Sequence, residues 1–212
     1  VDSAVARALS EGGLDALVNN AGYGLSGAFE ELTLEELRAV FETNYFSVLR
    51  LSKAVLPSMR ERGHGTIVNV GSVAGLIGVP MEGGYSATKF ALRSMSRSMR
   101  MELSPFGVRV VLIEPGVVRT DFHVNKVVAE TSLHIDSPYA GLHIVTELRA
   151  RARALFGGKA DRTAMRICQV IESRGPAARY TVGIDAWAGA WASRLLPDAV
   201  VDFFMRRAIM GR

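Results

Sequence analysis

Apolar residues along this chain switch between two spacings, and each switch marks an element. Three runs carry them densely: Leu14–Val18 (LDALV), Thr66–Gly71 with its Ile67–Val70 stretch, and Val108–Ile113 (VRVVLI). Runs this continuous suit parallel strands covered on both faces. Between the first two, the spacing widens to that of a helix, with Leu37, Phe41, Val48, Leu51 and Val55 on one stripe. Thr33-Leu34-Glu35-Glu36 is a capping box that opens this helix, and Gly63 and Gly65 end it. Other helices are predicted over residues 2–11, stopped by Gly12-Gly13, over Tyr85–Leu103, stopped by Ser104–Gly107, and over residues 161–173. Tyr180–Ile184 (YTVGI) follows Gly175-Pro176 as a last strand. Strand and helix in alternation predict an α/β fold with a doubly wound parallel sheet.

The pattern weakens in two places. Residues 121–158 read as a long excursion with one helical piece, Glu147–Leu155, and loops of that length usually carry function. The tail, residues 185–212, is aromatic and ends in basic residues. Packing on the sheet is the reading its residues favour, ahead of covering a cleft or touching a membrane surface. At 212 residues the chain is expected to form one domain, residues 1–212.

Composition narrows the function classes. With 49% hydrophobic and 22% charged residues, this is ordinary globular material. The net charge of +4 comes from scattered Arg, with no basic run interleaved with aromatics, so no nucleic-acid partner is expected. The single cysteine, Cys168, excludes an internal disulfide and reads as a small core residue beside Ile167, Val170 and Ile171. No apolar run is long enough to span a membrane and no secretory leader opens the chain, so a cytoplasmic protein is expected. The four His residues are dispersed, which gives no metal site.

Candidate chemistry gathers where strands end. Asn19-Asn20-Ala21-Gly22, Ser72 and Pro115–Thr120 all follow the carboxyl ends of predicted strands, the edge at which open parallel sheets bind ligands. Tyr85 and Lys89, four apart near a helix start, place a phenol and an ammonium on one face. A serine facing that pair could polarise a carbonyl and exchange a proton with it. Asn44 falls on an apolar helix stripe, where an unpartnered amide costs about 1–3 kcal/mol, so it must be bonded. Taken alone, it reads as an amide tying helix to sheet.

In this order the motifs NNAG (19–22), TNY around Asn44, NVGS (69–72), YSATK (85–89) and PGVVRT (115–120) resemble the short-chain dehydrogenase/reductase family. The resemblance is close over residues 2–120 and loose beyond. It implies a Rossmann-like domain and an NAD(P)(H)-dependent oxidoreductase interconverting a secondary alcohol and a ketone. Position by position it implies that Asn44, Ser72, Tyr85 and Lys89 form a catalytic tetrad. Tyr85 would be the general acid or base. Lys89 would favour the phenolate and hold the nicotinamide ribose. Ser72 would meet the carbonyl oxygen, so Ser72 and Tyr85 would bind substrate, and Asn44 would anchor a water leading to Lys89. Asn20, Ala21 and Gly22 would lie against the cofactor ribose, and Pro115, Gly116, Val118 and Thr120 would flank the nicotinamide. The YGxSGAFEELT segment at 23–33 and the tail look most like the 17β-hydroxysteroid and retinol dehydrogenase subgroup, which implies a bulky apolar substrate. A cofactor-sensing binding protein and a nucleotide-sugar epimerase or dehydratase are the competing readings.

One family element is missing. The Gly-rich turn that receives the pyrophosphate at a helix N-terminus does not occur in this sequence. The resemblance therefore implies that ~60 residues, two βα units of ~30 each, precede Val1. NAD or NADP is expected as cofactor, with the choice between them not encoded in this stretch. The chain on its own is expected to bind dinucleotide weakly or not at all, to expose Leu14–Val18 as an edge and to be poorly soluble, whereas the full-length protein is expected to be a homo-oligomer.

Overall fold

The dense apolar runs become the central sheet. In the computed structural model, which describes residues 2–10 and 13–211, the chain opens with α1 (Asp2–Ser10), β1 (Ala16–Asn19) and β2 (Leu25–Ser26). It continues through α2 (Leu34–Phe41), a π turn (Glu42–Phe46), α3 (Ser47–Arg62), β3 (Gly65–Val70) and α4 (Gly83–Leu103). Next come β4 (Val108–Pro115), β5 (Val118–Arg119), β6 (Val127–Val128) and α5 (Ala140–Leu155). The chain ends with β7 (Gly158–Lys159), α6 (Ala160–Glu172), β8 (Arg179–Val182), α7 (Ile184–Leu195), α8 (Asp198–Met205) and a second π turn (Arg206–Met210). The expected stop at Gly12 lies outside the described residues.

Four parallel strands form the sheet in the order β1-β3-β4-β8. Successive side chains leave a strand on opposite faces. Ile67, Val108 and Val110 therefore meet Val5, Val55, Met59 and Met99 from α1, α3 and α4. Val68, Val111 and Ile113 point the other way, onto Val170 of α6. Helices on both faces make the sheet doubly wound. Among the described residues β1 is an edge strand, and its Val18 is 37% exposed.

A polar ladder replaces hydrocarbon at the carboxyl edge. Asn19 and Asn69 are register partners on β1 and β3. Asn19 Nδ2 donates to Asn69 Oδ1 (2.8 Å), Asn69 Nδ2 donates to Ser96 Oγ on α4 (2.9 Å), and Ser96 Oγ donates to Leu92 O (2.7 Å). All three side chains are buried, so each bond replaces one that water can no longer offer. Asn69→Ala is expected to cost about 3 kcal/mol, because it opens a space and leaves buried Asn19 Nδ2 with only its long bond to Ser52 Oγ (3.5 Å). A urea midpoint unchanged by this substitution would show the ladder to be idle.

The structure corrects three expectations. The fully buried stripe of the long helix runs through Val40, Asn44, Val48, Ser52, Val55 and Met59, while Phe41 and Leu51 are half-buried at its margin, Leu51 still packing against the core. Spacings of four in succession drift around a regular α-helix, and the wide π turn at Glu42–Phe46 absorbs that drift. Cys168 is exposed, not core: Ile167, Val170 and Ile171 form the inward stripe of α6, and position 168 is turned 100° from Ile167. The helical piece in the excursion begins at Ala140, about two turns before the predicted Glu147.

The excursion is anchored at several points. β2 pairs with β6 and β5 with β7, in parallel. Buried Glu31 accepts hydrogen bonds from the hydroxyls of Ser132 (2.6 Å) and Ser137. Glu36 does double service: Oε2 closes the capping box on Thr33 N (2.8 Å), and Oε1 accepts Glu130 N–H (3.1 Å). Lys126, almost fully buried, pairs with Glu147 (2.6 Å) and Glu82 (3.7 Å). Glu31→Ala should loosen this segment, with cleavage between residues 121 and 139 by a non-specific protease accelerated about tenfold. Unchanged digestion would remove Glu31 as an anchor. No helix among the described residues is long and apolar enough to cross a membrane.

Candidate active site

Strand ends and one helix start build the site. Ser72 follows β3 in extended conformation, and its Oγ accepts Ala74 N–H (3.1 Å), which fixes the short turn that follows. α4 begins at Gly83, so Tyr85 and Lys89 lie on its first turns and share its buried stripe with Leu92, Ser96 and Met99. The Ser72 side chain lies near enough to the Tyr85 phenol to pull its pKa down. Lys89 Nζ donates to Val70 O, the last carbonyl of β3 (3.0 Å), and stands 5.8 Å from the Tyr85 ring centre. Ser72, Tyr85 and Lys89 are thus one cluster.

Burial dominates the electrostatics of the pair. It raises the Tyr85 phenol above its ordinary 10.0, against a downward pull from the Ser72 hydrogen bond and with a further upward push from Glu82. Burial also lowers the Lys89 ammonium from 10.5 to about 8. In the free protein, therefore, the phenol holds its proton through neutral pH and the ammonium sits close to its titration point.

Asn44 lies in the π turn with no exposed surface. Its Oδ1 accepts Tyr23 N–H (3.0 Å), and its Nδ2 donates to Tyr23 O (2.9 Å) and Thr88 Oγ1 (3.1 Å). The amide clamps the Asn20–Tyr23 turn against α4. A Cβ on Gly22 would stand 2.9 Å from Asn44 Oδ1 and 3.7 Å from Lys89 Nζ, so this turn passes the cluster where a side chain has no room.

Loop Pro115–Thr120 closes the opposite side. Its Val117 N–H donates to Asp185 at the start of α7 (2.6 Å). Beneath it, Glu114 is fully buried between Arg93 of α4 (3.2 Å) and Arg179 of β8 (3.4 Å). Burial pushes this carboxyl up to about 7, against the pull of Arg93 and Arg194. In sequence, Glu114 is only the start of a turn; in the fold it joins the Tyr85–Lys89 helix to the sheet.

These parts surround one cavity of about 990 Å³. Asn20, Gly22, Ser72, Tyr85, Lys89, Pro115, Gly116, Val118 and Thr120 all line it, whereas Ala21 does not and Asn44 lies behind the wall. Sequence reasoning missed several lining groups: Phe122, 5.6 Å from the Tyr85 ring; Arg153; Thr163; and Asp185, whereas His123 of the excursion, whose pKa burial lowers, does line the cavity. Of the missed groups, only Phe122, close to Thr120 in sequence, offered a signal. Leu196, Val201, Phe204, Met205 and Ile209 also line the cavity, so the tail covers the cleft as well as packing. Arg149 holds it there, donating to the carbonyls of Arg207 (2.7 Å) and Ala208 (3.1 Å) at its last turn.

The profile of the short chain dehydrogenase family matches residues 1–131. The chain belongs to that family. Family membership makes it an oxidoreductase by class. Along 213 residues it is 34% identical to a 3-ketodihydrosphingosine reductase of Bacteroides thetaiotaomicron, an alignment covering 97% of this chain and 77% of that protein. It is 46% identical over 134 residues to human retinol dehydrogenase 8, covering 62% of this chain and 43% of the relative. Among solved structures, a short chain dehydrogenase from Burkholderia cenocepacia in complex with NADP superposes with a TM-score of 0.70 at 26% identity, covering 96% of this chain and 74% of that one. Its agreement extends the family likeness to the fold.

Proposed function

We propose that this short chain dehydrogenase interconverts a ketone and a secondary alcohol with NADP or NAD, Tyr85 serving as proton donor to the developing alkoxide. The observation that carries this reading is the convergence of Ser72, Tyr85 and Lys89 with loop Pro115–Thr120 on one cavity. Asn20 and Gly22 form an exposed floor at the carboxyl edge, and Lys89 Nζ stands beside Gly22 where a ribose hydroxyl would be held. Those groups fit the ribose and nicotinamide of a dinucleotide, and the Burkholderia relative holds NADP. The bound dinucleotide supplies the hydride in reduction and accepts it in oxidation.

The protein's part is proton handling and placement. A phenol held protonated by burial suits the acid role in reduction. Ser72 Oγ, near that phenol, can share the carbonyl oxygen and stabilise its negative charge. Lys89, poised to release and regain a proton near pH 8, is placed to reprotonate Tyr85. Substrate bulk is supported by the tail side chains Val201, Phe204, Met205 and Ile209 on the cavity wall, and by relatives named for a sphingoid ketone and for retinol.

The test is reduction of a ketone panel (steroid, retinoid, long-chain 3-keto and small ketones) by the protein at its natural length, followed by loss of the nicotinamide absorbance. Turnover is expected with the bulky apolar members. Absence of turnover across the panel with both NADPH and NADH, despite measured cofactor binding, would reject the reading.

A further inference from the structure

Asp185 lines the cavity from the first turn of α7, yet the chemistry proposed above gives it no part. α7 comes close to the body of the protein because its inner face is small. Ala186 and Ala190 are buried and a Cβ on Gly189 would stand 2.8 Å from Val73 Cγ2, while Trp187 and Trp191 face solvent. An acid at a helix start commonly bonds the free amides of its own helix. Here Gly183 occupies the cap, without a side-chain bond. The Asp185 carboxylate turns from its helix to loop Pro115–Thr120, where Oδ2 accepts Val117 N–H at 2.6 Å. Hydrogen bonds to carboxylates are about twice as strong as neutral ones. Two glycines make room for the carboxylate. A Cβ on Gly116 would stand 2.2 Å from both of its oxygens, and one on Gly183 would stand 2.6 Å from Oδ1.

We propose that Asp185 is the positioning residue of this loop: by holding Val117 N–H it presets Gly116, Val117 and Val118 for the nicotinamide end of the dinucleotide. The inference rests on the cofactor reading given above and deepens it, assigning part of the cofactor affinity to a side chain of the tail. All three loop residues line the cavity. Two further bonds hold the same segment: Gly116 N–H donates to Val182 O (2.9 Å), and Gly158 N–H donates to Val117 O (2.9 Å). Of the three bonds, the one to Asp185 alone comes from a side chain, so it is the one that a substitution can remove. A loop already bonded in place need not be ordered when its ligand binds. Released, it would be competent in only a fraction of molecules, and affinity falls by that fraction. α7 also gives Ala188, Gly189 and Ala192 to the cavity wall, so the same bond ties the tail's share of that wall to the loop.

The experiment is calorimetric titration of the protein at its natural length with NADPH, NADH and the matching ADP-ribose fragments, which lack the nicotinamide. Asp185→Ala is expected to weaken the dinucleotide that the parent binds about tenfold, leaving its fragment within about twofold. Asp185→Asn keeps an oxygen to accept Val117 N–H and is expected to restore the dinucleotide affinity. Hydrogen exchange adds a test that needs no variant: in the parent without cofactor, the Val117 amide should be protected. Four results would overturn the proposal. They are parental dinucleotide affinity in the Ala variant, an equal loss for dinucleotide and fragment, an Asn variant as weak as the Ala variant, and a Val117 amide that exchanges at the rate of an open chain. An equal loss would show a general structural role. Failure of the parent to bind either dinucleotide would reject the cofactor reading itself, and this inference with it.

Discussion

Tyr85→Phe is expected to lower the rate of the proposed ketone reduction about a thousandfold while leaving the melting temperature and cofactor affinity near those of the parent. The size follows from the general-acid role, which contributes about 10²–10⁴ to such steps. Phe keeps the ring packed against Phe122 and removes only the hydroxyl that faces Ser72. Because burial holds the phenol protonated, the loss should be equally large from pH 6 to pH 8. A variant that retained parental turnover in the protein at its natural length would place the proton donor elsewhere in the cavity, and His123 would be the next group to test.

Lys89→Met should separate function from stability. Its ammonium titrates at about 8 in the folded chain instead of 10.5. The unfolded chain binds this proton more tightly, so the native state carries a penalty that is absent above pH 10.5, grows as the pH falls to 8, and stays constant below that. A depression of that size corresponds to roughly 3 kcal/mol, and losing the bond to Val70 O returns about 1 kcal/mol. Near pH 7 the Met variant should thus be more stable by about 2 kcal/mol, a rise of ~4–8 °C in melting temperature for a chain of this size. The gain should vanish near pH 10 and turn into a loss of about 1 kcal/mol once the penalty is gone above pH 10.5, and reduction should be lost at every pH. A Met variant less stable than its parent at pH 7 would mean that Lys89 earns its place by packing or bonding and not at a cost.

Much of the site could be read in one dimension because its geometry is local. Tyr85 and Lys89 share a face through helix periodicity, and Ser72 and Pro115–Thr120 reach the cavity because polar turns follow apolar strands at one edge. What local spacing could not supply is the company those residues keep. Nothing near Glu114 in sequence announces Arg93 and Arg179, and nothing near Val117 announces Asp185, 68 positions away. Asn44 shows both sides: its spacing marked it as buried and bonded, while its partners Tyr23 and Thr88 come from two other elements.

By itself, then, the sequence determined the doubly wound sheet, the family and the cluster of Ser72, Tyr85 and Lys89, since these follow from residue spacing along strands and helices. The tertiary structure decided three things. It drew Asn44 into a π turn as a clamp, because spacings of four need a wider turn. It turned Cys168 outward and the bulky face of α7 to solvent, because a helix buries the stripe its neighbours leave room for. And it tuned the titration of Tyr85 and Lys89, because burial depends on what other elements place above a side chain.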